Sequence, residues 1–330
     1  MNQMNIDYLF QQLKSVNILI VGDLILDHYI SGDVNRISPE APIPIVEVTG
    51  EKYTLGGAAN VAANIKSLGA RVDICGMIGD DNYGKFLLNK LGMKKISESG
   101  VVISYDRPTT LKTRVLSRDH QLIRIDNEVK DEPGSEIKHE IIKYIKSRVE
   151  YVDAIIIEDY GKGVISYDVL SEIIPYMTSK NKIVTVDPKS NHLPSYSNCT
   201  AITPNLDEAR KLTNVFIGSD KDLVNAAENI KNVTNIETIL ITLGSKGIFL
   251  YNDDELEIVP AYTKHQVFDV SGAGDTVISM FTLAKCAGWS DKYATILSNI
   301  AAGIVVEKVG TAVTYPEEIK ERFNHYLEKV

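Results

Sequence analysis

Asn17-Ile18-Leu19-Ile20-Val21-Gly22-Asp23 is a short apolar run that ends in a glycine and an aspartate. A run of this length, bounded by a turn signal, is typical of a buried β-strand. In open α/β sheets, ligands bind in the crevice at the carboxyl ends of the strands. Asp23 is therefore predicted to lie where a ligand binds.

Further along the chain, short apolar runs alternate with segments of helical periodicity. This alternation predicts a mostly parallel sheet flanked by helices. The predicted strands span residues 154–157, 183–186, 201–203, 238–242 and 247–251. The sequence has no repeat of fixed period and no low-complexity linker, so we expect a single domain over residues 1–330.

Two segments depart from this alternation. Residues 28–48 alternate apolar and polar side chains and contain three prolines, which favours edge or irregular strands over a helix. Residues 101–104 and 111–125 are typical of two or three antiparallel strands. We predict that these segments, at about 28–54 and 100–126, form a small β lid inserted into the domain.

The composition limits the classes of function. The 330 residues are 44% hydrophobic, which is enough for a large core. The net charge of -9, without a basic tail, argues against binding to nucleic acid or to an anionic membrane. The three cysteines are widely spaced among apolar neighbours, which indicates reduced thiols and a cytoplasmic protein. We find no leader-like pattern in residues 1–10 and no apolar run long enough to cross a bilayer.

Residues 269–276, Asp-Val-Ser-Gly-Ala-Gly-Asp-Thr, precede an apolar helix predicted over residues 277–287. Two glycines at a helix start let several backbone N–H groups point to one spot, where the helix dipole adds positive charge. Asp275 in the first turn can take a proton from a hydroxyl that attacks a phosphoryl group held over those amides. The same residues also fit an ordinary glycine loop whose aspartate caps the helix.

Several segments together resemble the ribokinase-like, or PfkB, family of carbohydrate kinases. Residues 269–276 resemble its C-terminal signature, and residues 56–64 with Gly69 resemble its N-terminal signature. Thr-Pro-Asn-Leu-Asp-Glu at 203–208 resembles its Asn-x-x-Glu element, and 242–247 are similar to its nucleotide-side strand and turn. The resemblance covers essentially the whole chain. It implies a ribokinase-like three-layer α/β fold and an ATP-dependent sugar kinase.

The resemblance also implies roles for individual residues. Asp275 would be the catalytic base, and the amides of Gly272, Ala273 and Gly274 would hold the developing charge. Mg²⁺ would be organised by Asn205 and Glu208 through water, as suits an ion that keeps several waters. The implied ATP-binding residues are Asn205, Leu206, Asp207, Glu208, Thr242, Gly244, Gly247 and Asn299. Asn205 and Glu208 also fit a capping box, and Asn299 fits a polar position on a helix. The identity of any activating monovalent cation stays open.

A narrower likeness is to the bacterial D-glycero-D-manno-heptose 7-phosphate kinases of this family. It lies in residues 21–27, 36–42, 112–118, 159–163 and 187–189, with Ser190 and Ser271 where Gly and Thr are expected. It implies phosphorylation of the anomeric hydroxyl to give heptose 1,7-bisphosphate, in ADP-heptose synthesis for the lipopolysaccharide core. The implied substrate-binding residues are Asp23, Asp27, Arg36, Gly56, Gly57, Asn60, Arg114, Asp159, Lys162 and Lys189.

The charge pattern agrees with a phosphorylated sugar. Its phosphate needs cations at the end far from the transferring phosphoryl group, and an acidic protein must supply them locally. Lone arginines on edge strands also serve as solvated charges that discourage aggregation, and Asp23 and Asp27 also fit turns. By resemblance we expect a homodimer formed through the lid. The sequence has no His-x-Gly-His motif, so this chain alone is not expected to make ADP-heptose. Whether an adenylyltransferase domain belongs to the full-length protein stays open.

Two other functions remain compatible with the sequence. One is a kinase of the same family that acts on another sugar or on a nucleoside. The other is a catalytically silent member that binds a sugar phosphate.

Overall fold

The structure is a computed structural model that describes residues 5–118, 120–189, 193–262, 267, 269–308 and 310–328. Ser190, one of the two departures from the heptose kinase pattern, lies outside these residues. The helices are α1 Ile6–Leu13, α2 Ala58–Ser67, α3 Asn82–Met93, α4 Ser135–Arg148, α5 Tyr167–Ser179, α6 Leu206–Thr213, α7 Asp220–Thr234, α8 Ala273–Cys286, α9 Asp291–Val305 and α10 Pro316–Leu327. The strands are β1 Asn17–Gly22, β2 Leu24–Ile37, β3 Pro44–Gly57, β4 Arg71–Gly79, β5 Ser97–Ser104, β6 Thr110–Ser117, β7 His120–Asn127, β8 Ala154–Glu158, β9 Ile183–Asp187, β10 Ala201–Ile202, β11 Thr238–Thr242, β12 Ile248–Tyr251 and β13 Leu256–Val259.

Within the described residues, the main sheet has nine strands in the order β13-β12-β11-β10-β9-β8-β1-β4-β5. The pairs from β11 through β5 are parallel, and only the pairs of β12 with β11 and β13 are antiparallel. The mostly parallel sheet predicted from the sequence is confirmed.

Both faces of this sheet are buried, which gives three layers. Along β1, Ile18 and Ile20 belong to the apolar cluster on one face, and Leu19 and Val21 belong to the cluster on the other. Successive side chains of a strand point to opposite faces, so a continuously apolar strand needs helices on both sides. Helices α2, α8 and α9 cover the first face, and α4, α5 and α7 cover the second.

A second sheet has four strands in the order β3-β2-β6-β7 within the described part of the chain. We call it the small sheet. It spans residues 24–57 and 110–127. The predicted second lid segment, 100–126, began too early, because residues 100–104 belong to β5 and pair in parallel with β4 in the main sheet. The alternation of β5 reflects its place at a sheet edge, where one side of the strand faces solvent.

The cysteines and the helix lengths bear on two further expectations from the sequence. Cys75 and Cys199 are buried free thiols, and Cys286 is a half-buried one. Burial raises the pKa of each thiol above its usual range. Among the described helices, none combines the length and the apolar character that a membrane span requires.

Candidate active site

The carboxyl ends of three adjacent parallel strands bring acidic residues together. Gly22 at the end of β1 lies in register with Glu158 on β8, and Glu158 lies in register with Asp187 on β9. A Cβ atom at position 22 would come within 2.2 Å of the Glu158 carbonyl oxygen, so the close approach of these strand ends requires glycine there. This edge of the sheet forms one wall of the site.

Asp275 forms the opposite wall, in the first turn of α8. The Asn60 amide donates a 2.6 Å hydrogen bond to Oδ2 of Asp275, and the Tyr160 hydroxyl donates one of 2.6 Å to Oδ1. The Asp275 side chain is buried. Burial raises its pKa above the usual value, and the two donors act in the opposite direction because they stabilise the ionised carboxylate. Asp275 is thus held at a fixed position with its oxygens directed toward a cleft.

The turn that precedes α8 explains how Asn60 reaches Asp275. Gly272 has a φ of +79°, in the left-handed region that favours glycine. A Cβ atom there would lie 2.8 Å from Nδ2 of Asn60, so glycine also makes room for the amide. The Ala273 N–H donates to the Val270 carbonyl at 3.3 Å. One of the three amides predicted to converge on a ligand therefore already has a partner within the turn. Gly272 and Gly274 line the cavity beside Asp275.

Two cavities meet at the start of α8. The first, of about 210 Å³, contains the acidic strand ends and much of the predicted site. It is lined by Asp159, Tyr160, Asp187, Pro188, Lys189, Thr203, Asn205, Glu208, Thr242, Gly272, Gly274 and Asp275. The second, of about 400 Å³, has mostly apolar walls that include Ile248, Val270 and Val277, and it also contains the predicted residues Thr242, Gly244, Gly247 and Asn299. Thr242 and Gly274 line both cavities. An apolar cavity that adjoins a polar one suits a ligand with a flat base at one end and phosphates at the other.

Three carboxylates cluster beside the polar cavity, and two of them, Asp187 and Asp275, line it. Oxygens of Glu158, Asp187 and Asp275 lie within 4.8 Å of one another. Glu158 is fully buried, and neither of its carboxylate oxygens has a hydrogen-bond partner. Burial raises the pKa of Glu158 and of Asp187 well above the usual range, and the neighbouring carboxylates raise both further. Carboxylate oxygens are the ligands that Mg²⁺ prefers, and a divalent cation would relieve this repulsion, so the residues present fit a magnesium ion.

The model of the pfkB family carbohydrate kinases matches residues 17–318 of the chain. This chain belongs to that family. It is a sugar kinase, a phosphotransferase. Among curated proteins, it is 39% identical over 313 residues to the Bifunctional protein HldE of Helicobacter acinonychis, which covers 95% of this chain and 67% of that protein. It is 41% identical over 307 residues to the Bifunctional protein HldE of Desulfatibacillum aliphaticivorans, with 93% and 63% covered. The chain thus spans about two thirds of the length of these relatives.

Solved structures confirm the ribokinase-like fold. Arabidopsis thaliana ribokinase, solved with ribose and ATP, superposes with a TM-score of 0.75 at 18% identity and covers 94% of this chain and 99% of its own. Phosphofructokinase-2 from Escherichia coli, solved with substrates and products, gives a TM-score of 0.78 at 17% identity with the same coverage.

The predicted nucleotide residues of this pfkB kinase divide into two groups. Asn205 and Glu208 line the polar cavity and form a capping box: Oδ1 of Asn205 accepts the amides of residues 207 and 208, and Glu208 accepts the Asn205 N–H. Leu206 and Asp207 point away from both cavities. Leu206 packs on the core, and Asp207 is exposed and pairs with Arg210 at 2.9 Å. Neither side chain lines a cavity, because a helix start directs these two side chains to other sides, and their contact with ATP remains a prediction.

Asn299 lies in the apolar cavity as predicted, although its amide nitrogen is already in use. It donates to the carbonyls of Val259 at 3.1 Å and Pro260 at 2.7 Å. The side chain therefore fixes the end of β13, which forms part of the same cavity. The alternative interpretation of Asn299, as an ordinary polar residue on a helix, does not include this contact with the end of β13.

The predicted sugar-binding residues also divide. Asp27 is buried on β2, where its carboxylate accepts from Arg114 at 2.5 Å. A Cβ atom on Gly56 would lie 2.4 Å from Oδ2 of Asp27, so glycine is needed beside this carboxylate. Gly57, with a φ of +55°, begins α2 and places Asn60 against Asp275. Gly57, at the end of β3, and Asn60 thus link the small sheet to the start of α8.

Asp23 has a structural role that differs from the predicted one. Its two carboxylate oxygens accept backbone N–H groups from Tyr160, Lys162 and Val164, at 2.9, 2.9 and 3.1 Å. Burial raises its pKa to about 6, against the effect of these amides. With its oxygens engaged in this way, Asp23 anchors the loop after β8 instead of facing a sugar hydroxyl. Asp159, in the same loop, lines the polar cavity and accepts from the Tyr196 hydroxyl at 2.6 Å.

The predicted phosphate-binding cations lie in three different places. Lys189 donates to Glu208 at 2.9 Å and lines the polar cavity together with Asp187 and Asp275. Lys162 is largely buried and pairs with Glu128 at 2.6 Å. Arg36 is mostly exposed, 3.6 Å from Glu47 toward the end of β2, away from both cavities. Within one subunit the long strand carries Arg36 away from the cavities, so its contact with a sugar phosphate remains a prediction.

Sequence reasoning missed three residues of the site. Tyr160 and Asp187 lie within segments 159–163 and 187–189, which carry the heptose kinase likeness, so a signal was present. Glu158 ends the apolar strand β8, the position at which ligand-facing side chains occur. Its burial without a partner follows only from the pairing of β8 with β1 and β9.

Proposed function

We propose that this sugar kinase transfers the γ-phosphoryl group of ATP to the anomeric hydroxyl of D-glycero-D-manno-heptose 7-phosphate and forms heptose 1,7-bisphosphate. The kinase chemistry rests on the position of Asp275, which lies in the first turn of α8, lines the polar cavity and accepts from the Asn60 amide. The choice of sugar rests on five sequence segments similar to heptose kinases and on the similarity to the HldE proteins. The product would be a precursor of ADP-heptose for the lipopolysaccharide core.

Asp275 would act as the general base. The attacking hydroxyl needs to lose its proton as the new phosphorus–oxygen bond forms, and a carboxylate fixed by two donors can accept it. Tyr160 and Asn60 keep the carboxylate oriented, so little orientational entropy is lost during the reaction. The positive end of the α8 dipole lies next to Gly274, where the phosphoryl group would be held. Closure of the small sheet over the cavity would exclude water, which otherwise competes as the phosphoryl acceptor.

Magnesium would be held on the other side of the polar cavity. Glu158 and Asp187 would hold it, with Glu208 and Asn205 next to them. When bound, the ion supplies positive charge that neutralises the phosphate oxygens of ATP. Lys189, which pairs with Glu208, adds a cation at the same place.

We also propose a homodimer formed through the small sheet. Strand β7 is exposed along its length and presents Leu122, Ile123 and Ile125, which are 42%, 54% and 54% exposed. An open edge strand with apolar side chains is a template for pairing with another chain. A second copy of the same edge is a self-complementary partner, as most homodimer interfaces are.

A substrate panel tests the function. The purified protein is assayed with Mg-ATP against heptose 7-phosphate, fructose 6-phosphate, ribose and adenosine, and the product is analysed by phosphorus NMR. The proposal expects the highest kcat/KM for heptose 7-phosphate, with a new phosphate on the anomeric carbon. Faster turnover of another acceptor would assign a different substrate. ATP consumption at background with every acceptor would instead indicate a silent member that binds a sugar phosphate.

A further inference from the structure

Asn64 is a fully buried polar residue on α2, one helical turn after Asn60. Residues four apart lie on the same face of a helix. The neighbours Ala63 and Ile65 belong to the apolar cluster to which α8 also contributes. An amide buried among apolar side chains costs free energy unless its hydrogen bonds are made. The partners of the Asn64 amide therefore indicate what this residue does.

The Asn64 side chain joins the two helix starts that form the site. Its Nδ2 donates to the Asn60 carbonyl at 3.0 Å, and its Oδ1 accepts the Thr276 hydroxyl at 3.2 Å. One turn earlier on α2, the Asn60 amide donates to Asp275. Two amides on one face of α2 thus contact two consecutive residues of α8. A buried polar contact between packed helices fixes their register, because any other register leaves the polar group without a partner.

The Thr276 hydroxyl also holds the turn before α8. It donates to the Gly272 carbonyl at 2.9 Å, and the Thr276 N–H donates to the same carbonyl at 3.1 Å. A hydroxyl has one hydrogen, so this hydrogen is shared between the Gly272 carbonyl and Asn64. Gly272 lines the polar cavity together with Asp275. The hydroxyl of Thr276 thus connects the turn, α8 and α2 at one point.

We propose that Asn64 and Thr276 are positioning residues, which set the register of α2 against α8 and so hold the Asp275 carboxylate toward the attacking hydroxyl. This inference rests on the proposed role of Asp275 as the general base. Among the described residues that line the two cavities, neither Asn64 nor Thr276 is present, so both act through Asp275 and not on a substrate. Misplacement of a reacting group by about 1 Å can lower a rate about 100-fold, so a loss of register affects kcat.

Removal of one hydroxyl tests this pair. Thr276→Val removes the hydroxyl and keeps the shape of the side chain, whereas Thr276→Ser keeps the hydroxyl. Thr282→Val is the matched control. Thr282 is also buried on α8, where its hydroxyl donates to the Ile278 carbonyl at 2.8 Å and lies 2.7 Å from the Thr185 hydroxyl. Each valine variant therefore loses one buried hydroxyl with one local and one distant partner, but only Thr276 is next to Asp275.

Activity is measured with Mg-ATP and the acceptor that the wild type phosphorylates fastest, together with the thermal midpoint. Thr276→Val is expected to lower kcat about 10- to 100-fold, with KM for ATP within about twofold of the wild type. Thr276→Ser should keep most of the wild-type kcat, and Thr282→Val should keep all of it even where both valine variants unfold at the same lower temperature. If Thr276→Val does not fold, Thr276→Ala takes its place. Equal losses of kcat in the variants of Thr276 and Thr282, or no loss in either, would overturn the inference.

A double variant shows whether Thr276 acts through Asp275. In Asp275→Asn the proposed base is already absent, so the addition of Thr276→Val is expected to change the residual kcat less than about twofold. A further fall of about tenfold would mean that Thr276 acts independently of the base, and it would refute the inference while the proposed function stands. A wild-type kcat in Asp275→Asn alone would instead refute the proposed base, and with it any role of Thr276 through that base.

Discussion

Replacement of Asp275 by asparagine isolates the proton-transfer step. Asparagine has the same shape, and the Asn60 amide and the Tyr160 hydroxyl, each 2.6 Å from an oxygen of Asp275, can reorient to pair with an amide. The buried carboxylate has a raised pKa, so the folded protein binds this proton more tightly than the unfolded chain does. Asp275 thus contributes stability below the unfolded pKa, and this contribution is lost as the pH rises through the folded pKa. At neutral pH, Asp275→Asn is therefore expected to be no less stable than the wild type.

The expected loss of activity is much larger than any effect on folding. A positioned general base contributes about 10²- to 10⁴-fold to the rate, which corresponds to about 2.7 to 5.4 kcal/mol of the activation barrier. The amides of Gly272 and Gly274 and the acidic strand ends are untouched by the substitution, so ATP affinity should stay within about twofold of the wild type. The variant should lower kcat with little change in KM for ATP.

The assay is coupled ADP release with the best acceptor from the panel, together with thermal unfolding of each variant. Asp153→Asn is the matched control, because Asp153 accepts the Asn17 N–H at 2.8 Å at the amino ends of the strands, the edge opposite to the site. The control should keep the wild-type kcat. If Asp275→Asn retains kcat within fivefold of the wild type while it folds normally, Asp275 is not the base. A parallel loss of kcat and of the thermal midpoint would mean that the residue acts through structure.

Two further predictions concern folding and assembly. Asp81 caps α3 and accepts the N–H groups of Gly84 at 2.7 Å and Thr109 at 2.8 Å. Burial raises the pKa of Asp81, but these hydrogen bonds outweigh burial, so its pKa is lowered overall. Asp81→Ala should therefore lower the free energy of unfolding, measured with a chemical denaturant, by about 1 to 2 kcal/mol at pH 7. The loss should shrink below about pH 4, because the carboxylate of the wild type takes up a proton there. A loss independent of pH would contradict this. Ile125→Lys on β7 should convert the dimer to a monomer in light scattering, whereas Leu256→Lys on β13 should not; a monomeric wild type would refute the proposed interface.

The strands of the main sheet could be predicted from the sequence because their signal is local. The predicted strand 238–242 coincides with β11, and 183–186 lies within β9. A continuous apolar run records burial on both faces and requires no knowledge of its partners. Strand β5 could not be assigned in this way, because an edge strand of the main sheet and a strand of the small sheet show the same alternation. Its neighbour in space, β4, decides the matter.

The site shows the same division between local and distant information. Asp275 and its glycines lie together in eight residues, so their chemistry can be read from the sequence. Tyr160 is 115 residues away from Asp275, and Asn60 is 215 residues away. Neither contact leaves a periodic signal. The predicted roles of Arg36, Leu206 and Asp207, whose side chains line neither cavity, were assigned by motif position alone, and motif position does not fix the direction of a side chain.

Asp23 shows how the two kinds of information are connected. The sequence places it correctly at the end of β1, yet its carboxylate accepts three N–H groups from residues 160–164. A buried carboxylate in this position is costly, as its pKa of about 6 indicates, and the three amides offset part of that cost. The loop that Asp23 fixes carries Tyr160, and the Tyr160 hydroxyl in turn donates to Asp275. The residue predicted to touch the sugar thus holds the loop that carries Tyr160, the hydrogen-bond partner of Asp275.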